Sequence, residues 1–77
     1  MKVKLVYFGL IAQKLGLSDE QIDLNNTDLN QLIAEQKIKY PVLGSINFKV
    51  AVNHILQDNV KIKEGDEIAF LPPFAGG

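Results

Sequence analysis

The first residues of the chain repeat with period two. Val3, Leu5 and Tyr7 would share one face of a strand, interleaved with Lys2 and Lys4, while Val6 and Phe8 fall on the other face. The β-branched and aromatic content of Lys2–Phe8 suits an interior strand. Gly9 punctuates it, and from Leu10 to Leu15 the period lengthens, with Ile11 and Leu15 four residues apart and Gly16 placed as a helix C-cap, which predicts a short helix. Gln21-Ile22-Asp23-Leu24 returns to alternation and is expected to pair beside the first strand, before the turn-forming Asn25-Asn26.

Leu29, Leu32 and Ile33 then recur at helical spacing behind Thr27, a good N-cap, and Asp28, which suits the positive end of a helix dipole. The main helix is predicted over Asp28–Lys37, with an incomplete capping box because Asn30 stands where Glu or Gln would complete it. Pro41 and Gly44 mark a connection, Phe48–Val52 a strand, and Asn53-His54 a turn. Asp58-Asn59 and Glu64-Gly65-Asp66 are further turns, leaving Glu67–Leu71 as the last strand. Strand, short helix, strand, main helix, then strands is an α+β order in which a mixed sheet wraps one side of a helix, and a β-grasp fold fits it. The expected division is a domain over residues 1–71 and a flexible diglycine tail over 72–77.

Composition narrows the classes. Seventy-seven residues hold one core, and 47% hydrophobic with 22% charged residues is ordinary for a globular chain. A core of this size supplies only ~3–5 kcal/mol, so a binding partner that adds stability is in keeping with it. With no cysteine there is no disulfide, thiolate metal site or cysteine nucleophile, and any sulfur chemistry must use imported sulfur. A net charge of −1 lacks the basic footprint of a nucleic-acid binder. The basic start and the apolar run Leu5–Ala12 imitate a signal peptide, but the run lacks a small-x-small cleavage site and alternates as a strand, so a cytoplasmic protein with no membrane partner is expected.

The end of the chain, Leu71-Pro72-Pro73-Phe74-Ala75-Gly76-Gly77, is its most informative segment. Two closing glycines arise by chance about once in two hundred sequences, so the pair alone is suggestive and its context decides. Pro72 and Pro73 stop a sheet and favour an extended start, while Gly76 and Gly77 carry no Cβ to obstruct a narrow channel. Fully extended, residues 72–77 reach roughly 20 Å, enough to place the Gly77 carboxylate inside another protein's active site. Phe74 either anchors on a partner or folds back on its own sheet. The carboxylate is ionised at neutral pH and a poor electrophile, so it must be activated, and the chain has no Walker A loop with which to do so.

These residues carry a resemblance. Lys4-Leu5-Val6-Tyr7-Phe8-Gly9, Val50-Ala51-Val52-Asn53 and above all Glu64-Gly65-Asp66-Glu67-Ile68-Ala69-Phe70-Leu71-Pro72-Pro73-Phe74-Ala75-Gly76-Gly77 are similar to the small subunit of molybdopterin synthase, a ubiquitin-like diglycine sulfur carrier; residues 25–47 match in pattern only. The resemblance implies a β-grasp fold and a separate ubiquitin-activating-type adenylyltransferase that uses ATP on Gly77. A sulfur donor system would then form a thiocarboxylate, and the large synthase subunit would receive the tail. Sulfur would pass to cyclic pyranopterin monophosphate, in a heterotetramer with two large subunits. Gly77 would be the consumed and regenerated group with Gly76 beside it, and Phe70, Pro72, Pro73, Phe74 and Ala75 would line the shared interface.

Other side chains have simpler roles available to them. His54, the one histidine, reads as a surface turn residue, and Lys37, Lys39, Lys61 and Lys63 as a solvated face. Asp58, Glu64, Asp66 and Glu67 read as turn and strand-edge residues, so no metal is expected. The alternatives to molybdopterin synthesis are a diglycine carrier serving thiamine, a ubiquitin-like protein modifier, and a β-grasp binding module with an inert tail.

Overall fold

The computed structural model describes residues 1–25, 27–57 and 60–72. Its elements are β1 (Lys2–Tyr7), α1 (Gly9–Leu15), β2 (Asp19–Asp23), α2 (Leu29–Lys39), a 3-10 turn (Pro41–Ser45), β3 (Lys49–Val52), β4 (Ile55–Leu56) and β5 (Glu67–Leu71). The strands form one sheet in the order β2-β1-β5-β3-β4. Only β1 and β5 run parallel, with Lys4 beside Glu67 and Tyr7 beside Phe70, so the sheet is mixed, as a β-grasp fold requires.

The period-two reading of β1 holds in detail. Val3, Leu5 and Tyr7 are buried, Lys2 and Lys4 exposed, and Phe8 lies outside on the far side of the strand's end. α1 ends where Gly16 turns left-handed at φ 77°, its N–H donating to the Ala12 carbonyl, as the C-cap reading expects. α2 lays Leu29, Leu32 and Gln36 against the sheet, a stripe at i, i+3 and i+7 that joins Leu5, Tyr7, Ile68 and Phe70 in one core. Burying that face sets the helix across the sheet.

Several boundaries differ from the sequence reading, among them β2, which runs over Asp19–Asp23 rather than Gln21–Leu24. Asp28, not Thr27, caps α2: its carboxylate accepts from the Asn30 N–H at 2.9 Å, while the Thr27 carbonyl is engaged by the Ile62 N–H. The helix also runs two residues past Lys37, to Lys39, and stops at Tyr40 because the following Pro41 disfavours helical backbone there. Pro41–Ser45, expected as an open connection, winds into a 3-10 turn that buries Leu43. Asn53 and His54 both adopt positive φ, 51° and 72°, the requirement of a tight two-residue hairpin, and β4 follows as a two-residue strand that the sequence reading did not assign. The predicted turn at Asp58-Asn59 lies outside the described residues.

Candidate functional site

The site begins with β5, because this strand leads to the diglycine sequence. It is held on both sides: by β1 through the parallel pairs up to Tyr7–Phe70, and by β3 through antiparallel pairs that reach Lys49–Leu71. Ile68 and Phe70 point into the core, and the Phe8 N–H donates to the Phe70 carbonyl at 3.2 Å. Pro72 has no N–H with which to continue a ladder, so β-pairing stops there for a covalent reason. The half-buried Pro72 ring rests on Gly9, whose backbone turns left-handed at φ 53°.

The expected interface residues therefore divide. Phe70 is 0% exposed, with its ring 5.3 Å from those of Tyr7 and Phe48, so its side chain has no surface to offer a partner. Its inward position follows from strand alternation with Ile68; its contribution is to fix β5 from below. Pro72 is partly accessible at the strand's exit. Pro73, Phe74, Ala75, Gly76 and Gly77 lie outside the described residues.

A polar cluster, not read from the sequence, locks the other half of β1. The Tyr7 hydroxyl donates to Glu20 Oε2 at 2.6 Å and accepts from Gln36 Nε2 at 2.9 Å; the Tyr40 hydroxyl also donates to Glu20, at 3.1 Å, and Lys39 Nζ pairs with it at 3.4 Å. Burial, and then the neighbouring Glu20 carboxylate, push the Tyr7 phenol far above its ordinary range. Burial alone would raise Glu20, but the bonds from Tyr7 and Tyr40 and the charge of Lys39 outweigh it and hold the carboxyl below its usual value. Lys39 is raised: partial burial opposes the shift, and the Glu20 charge overcomes it. At neutral pH the tyrosine stays protonated and the glutamate ionised, so the cluster joins β2 and α2 to β1 rather than exchanging protons. Position 36 was legible as an inward site, seven residues after Leu29, but the polarity of glutamine masked it.

The acidic turn before β5 is equally structural. Asp66 accepts from Asn53 Nδ2 at 2.9 Å and from the Lys63 N–H at 2.7 Å, and Glu64 accepts from the Lys2 N–H at 2.9 Å. These carboxylates are spent on fixing the entry of β5 between β1 and the hairpin. Among the described residues no group of three His, Cys, Asp or Glu could hold a metal ion, and His54 stands in its turn. A groove of about 530 Å³ lies between α2 and the β3–β4 end, with Ile33, Phe48, Val50 and Leu56 in its walls and Lys37 Nζ 5.6 Å above the Phe48 ring. Among the described residues its lining holds no carboxylate, hydroxyl or imidazole. No helix among the described residues is long and apolar enough to cross a membrane. The described side chains thus build a platform for the last strand and bring together no nucleophile with a base.

Residues 5–77 match the model of the ThiS family. The chain is 32% identical over 82 residues to the molybdopterin synthase sulfur carrier subunit of Mycobacterium tuberculosis, covering 100% of this chain and 99% of that protein. It is 29% identical over 84 residues to the subunit of the same name from Chlamydomonas reinhardtii, covering 100% of both. Among solved structures, the protein–protein complex of subunits 1 and 2 of the molybdopterin-converting factor from Helicobacter pylori contains a chain that superposes with a TM-score of 0.72 at 29% identity, over 100% of both chains.

Proposed function

The chain belongs to the ThiS family, and on that premise we propose that it is the sulfur carrier subunit of a molybdopterin synthase, inactive as an enzyme by itself. One observation carries the reading: the family match continues through Gly77, and the strand that leads to that residue is clamped between two neighbours. In the proposed cycle, a ubiquitin-activating-type adenylyltransferase brings the Gly77 carboxylate to the α-phosphorus of ATP. Pyrophosphate leaves and an acyl adenylate forms. A sulfur donor then displaces AMP to give the thiocarboxylate.

The large synthase subunit receives the tail, as the pairing of subunits 1 and 2 in the Helicobacter pylori complex supports. Sulfur passes to cyclic pyranopterin monophosphate, two deliveries build the dithiolene, and hydrolysis returns Gly77 to a carboxylate. Pro72 to Ala75 would contact the large subunit, Gly76 would pass its channel, and the assembly would be a cytoplasmic heterotetramer.

Intact-mass spectrometry tests this chemistry. The purified chain, incubated with ATP, a matched and active adenylyltransferase and a sulfur donor, should gain the mass of one oxygen-to-sulfur exchange at Gly77, and a chain lacking Gly77 should not. An unchanged mass would overturn the carrier role. Affinity capture then separates destinations: the large synthase subunit supports the proposal, a thiazole synthase moves the carrier to thiamine, and isopeptide-linked lysines in other proteins would make it a modifier.

A further inference from the structure

We propose that Gly9 is a positioning residue for sulfur delivery: its bare α-carbon seats the Pro72 ring and so sets the direction in which the chain leaves the sheet. The proposal rests on the sulfur-carrier reading and adds a determinant to it. A Cβ built on Gly9 would stand 3.2 Å from Pro72 Cγ and 4.0 Å from Cδ, the first tighter than ordinary van der Waals contact. The seat lies immediately beyond the Phe8–Phe70 hydrogen bond. A flexible side chain would swing out of the way, but a proline ring is part of the backbone. It relieves the contact only by puckering or by taking the chain with it.

Small changes at this point are magnified. Five residues follow Pro72, with a maximum span of about 17 Å, so a swing of about 5° at the base would move the far end of an extended segment by roughly 1.5 Å. Reactions that depend on a held geometry lose on the order of 10²-fold for an error of about 1 Å.

The molecule supplies its own controls. Gly16 and Gly65 also have left-handed backbones, at φ 77° and 84°, but a Cβ at either would meet no atom of the described residues within 4 Å. Positive φ alone thus asks for glycine at all three positions, while the contact with the exit of β5 belongs to Gly9. Gly9→Ala, Gly16→Ala and Gly65→Ala introduce the same kind of backbone strain, and only the first also presses on Pro72.

The three variants of the full chain should show comparable falls in melting temperature. Thiocarboxylate formation should separate them: kcat/KM for loading should fall on the order of 10²-fold for Gly9→Ala, as expected for a displacement of about 1 Å at the far end, and stay within about twofold for the other two. In a Pro72→Ala background the loss caused by Gly9→Ala should shrink. Equal loading in the three variants, or an undiminished loss without the proline ring, would overturn the proposal. Amide NMR spectra of the free chains give a second reading that needs no partner. Phe74–Gly77 signals should shift in Gly9→Ala and not in Gly16→Ala, and identical tail signals would refute the positioning role by themselves. Failure of the wild-type chain to load would count against the carrier reading alone, because the spectra still decide this one.

Discussion

The two ends of the sheet are finished differently. At the β2 end, Tyr7, Glu20, Gln36 and Tyr40 close the space under α2 with hydrogen bonds, and no buried side-chain polar atom among the described residues lacks a partner. At the β4 end the last strand is two residues long, Ile55 and Leu56 are 62% and 60% exposed, and a groove runs beside them. A tyrosine hydroxyl carried inward on β1 must be satisfied, which forces the first end to close on itself. At the second end the edge strand presents Ile55 and Leu56, apolar residues that tolerate water at modest cost. The difference teaches where free energy is still to be gained: the closed end has little surface left to bury, and the open end keeps apolar area that a contact could cover.

That contrast can be broken from the middle outward. Phe70→Ala removes the ring shared by both halves and should cost about 3–5 kcal/mol in urea denaturation; a loss under about 1 kcal/mol would mean that the core is not continuous across β5. Tyr7→Phe leaves the shape of the closed end but strands Gln36 Nε2 and takes a donor from Glu20, with an expected cost of about 1–3 kcal/mol. If this variant is as stable as the parent, the cluster is not what closes that end.

A pH series sharpens the same point. Because the native Glu20 carboxyl is held below its usual 4.5, the ionised form stabilises the fold above that pH. This contribution should be lost as pH falls from about 4.5 through the lower native value. Wild-type stability should therefore drop more steeply on acidification than that of Glu20→Gln, and parallel curves would show the carboxylate to be incidental. The smallest effect belongs to the open end: Ile55→Thr and Leu56→Thr should each change stability by no more than about 0.5 kcal/mol. A larger loss would show that this end is supported in ways that its exposure hides.

What could be read without coordinates follows the same asymmetry. Alternation in β1, the Gly16 cap and the inward face of α2 depend on local period and backbone preference, and the sequence displays these directly. The start of α2 lies one residue later than the Thr27 cap implies, because the Asp28 carboxylate is the one that reaches the Asn30 N–H. The Tyr7–Glu20–Gln36–Tyr40 cluster joins residues from three separate segments, so no window along the chain contains its signal. β4 is too short to generate a period. For the site, Pro72 is readable as the place where pairing stops, whereas the resemblance puts Phe70 at the interface and the strand turns its ring into the core beside Ile68. The seat on Gly9 is a contact between residues 9 and 72 that no motif encodes.

The parallel pairing of β1 with β5 also orders events in time. A ribosome has made β1, α1, β2 and α2 long before Glu67–Leu71 exists, and until then the first strand has one edge without its neighbour. Contacts between such distant segments form late and slowly. Folding is thus completed by the same strand that leads to the diglycine sequence, and a copy cut short before residue 67 lacks both the centre of the sheet and the segment that would carry sulfur. Such a fragment leaves the β1 edge unpaired and its core open, the condition that favours misassembly over a compact fold.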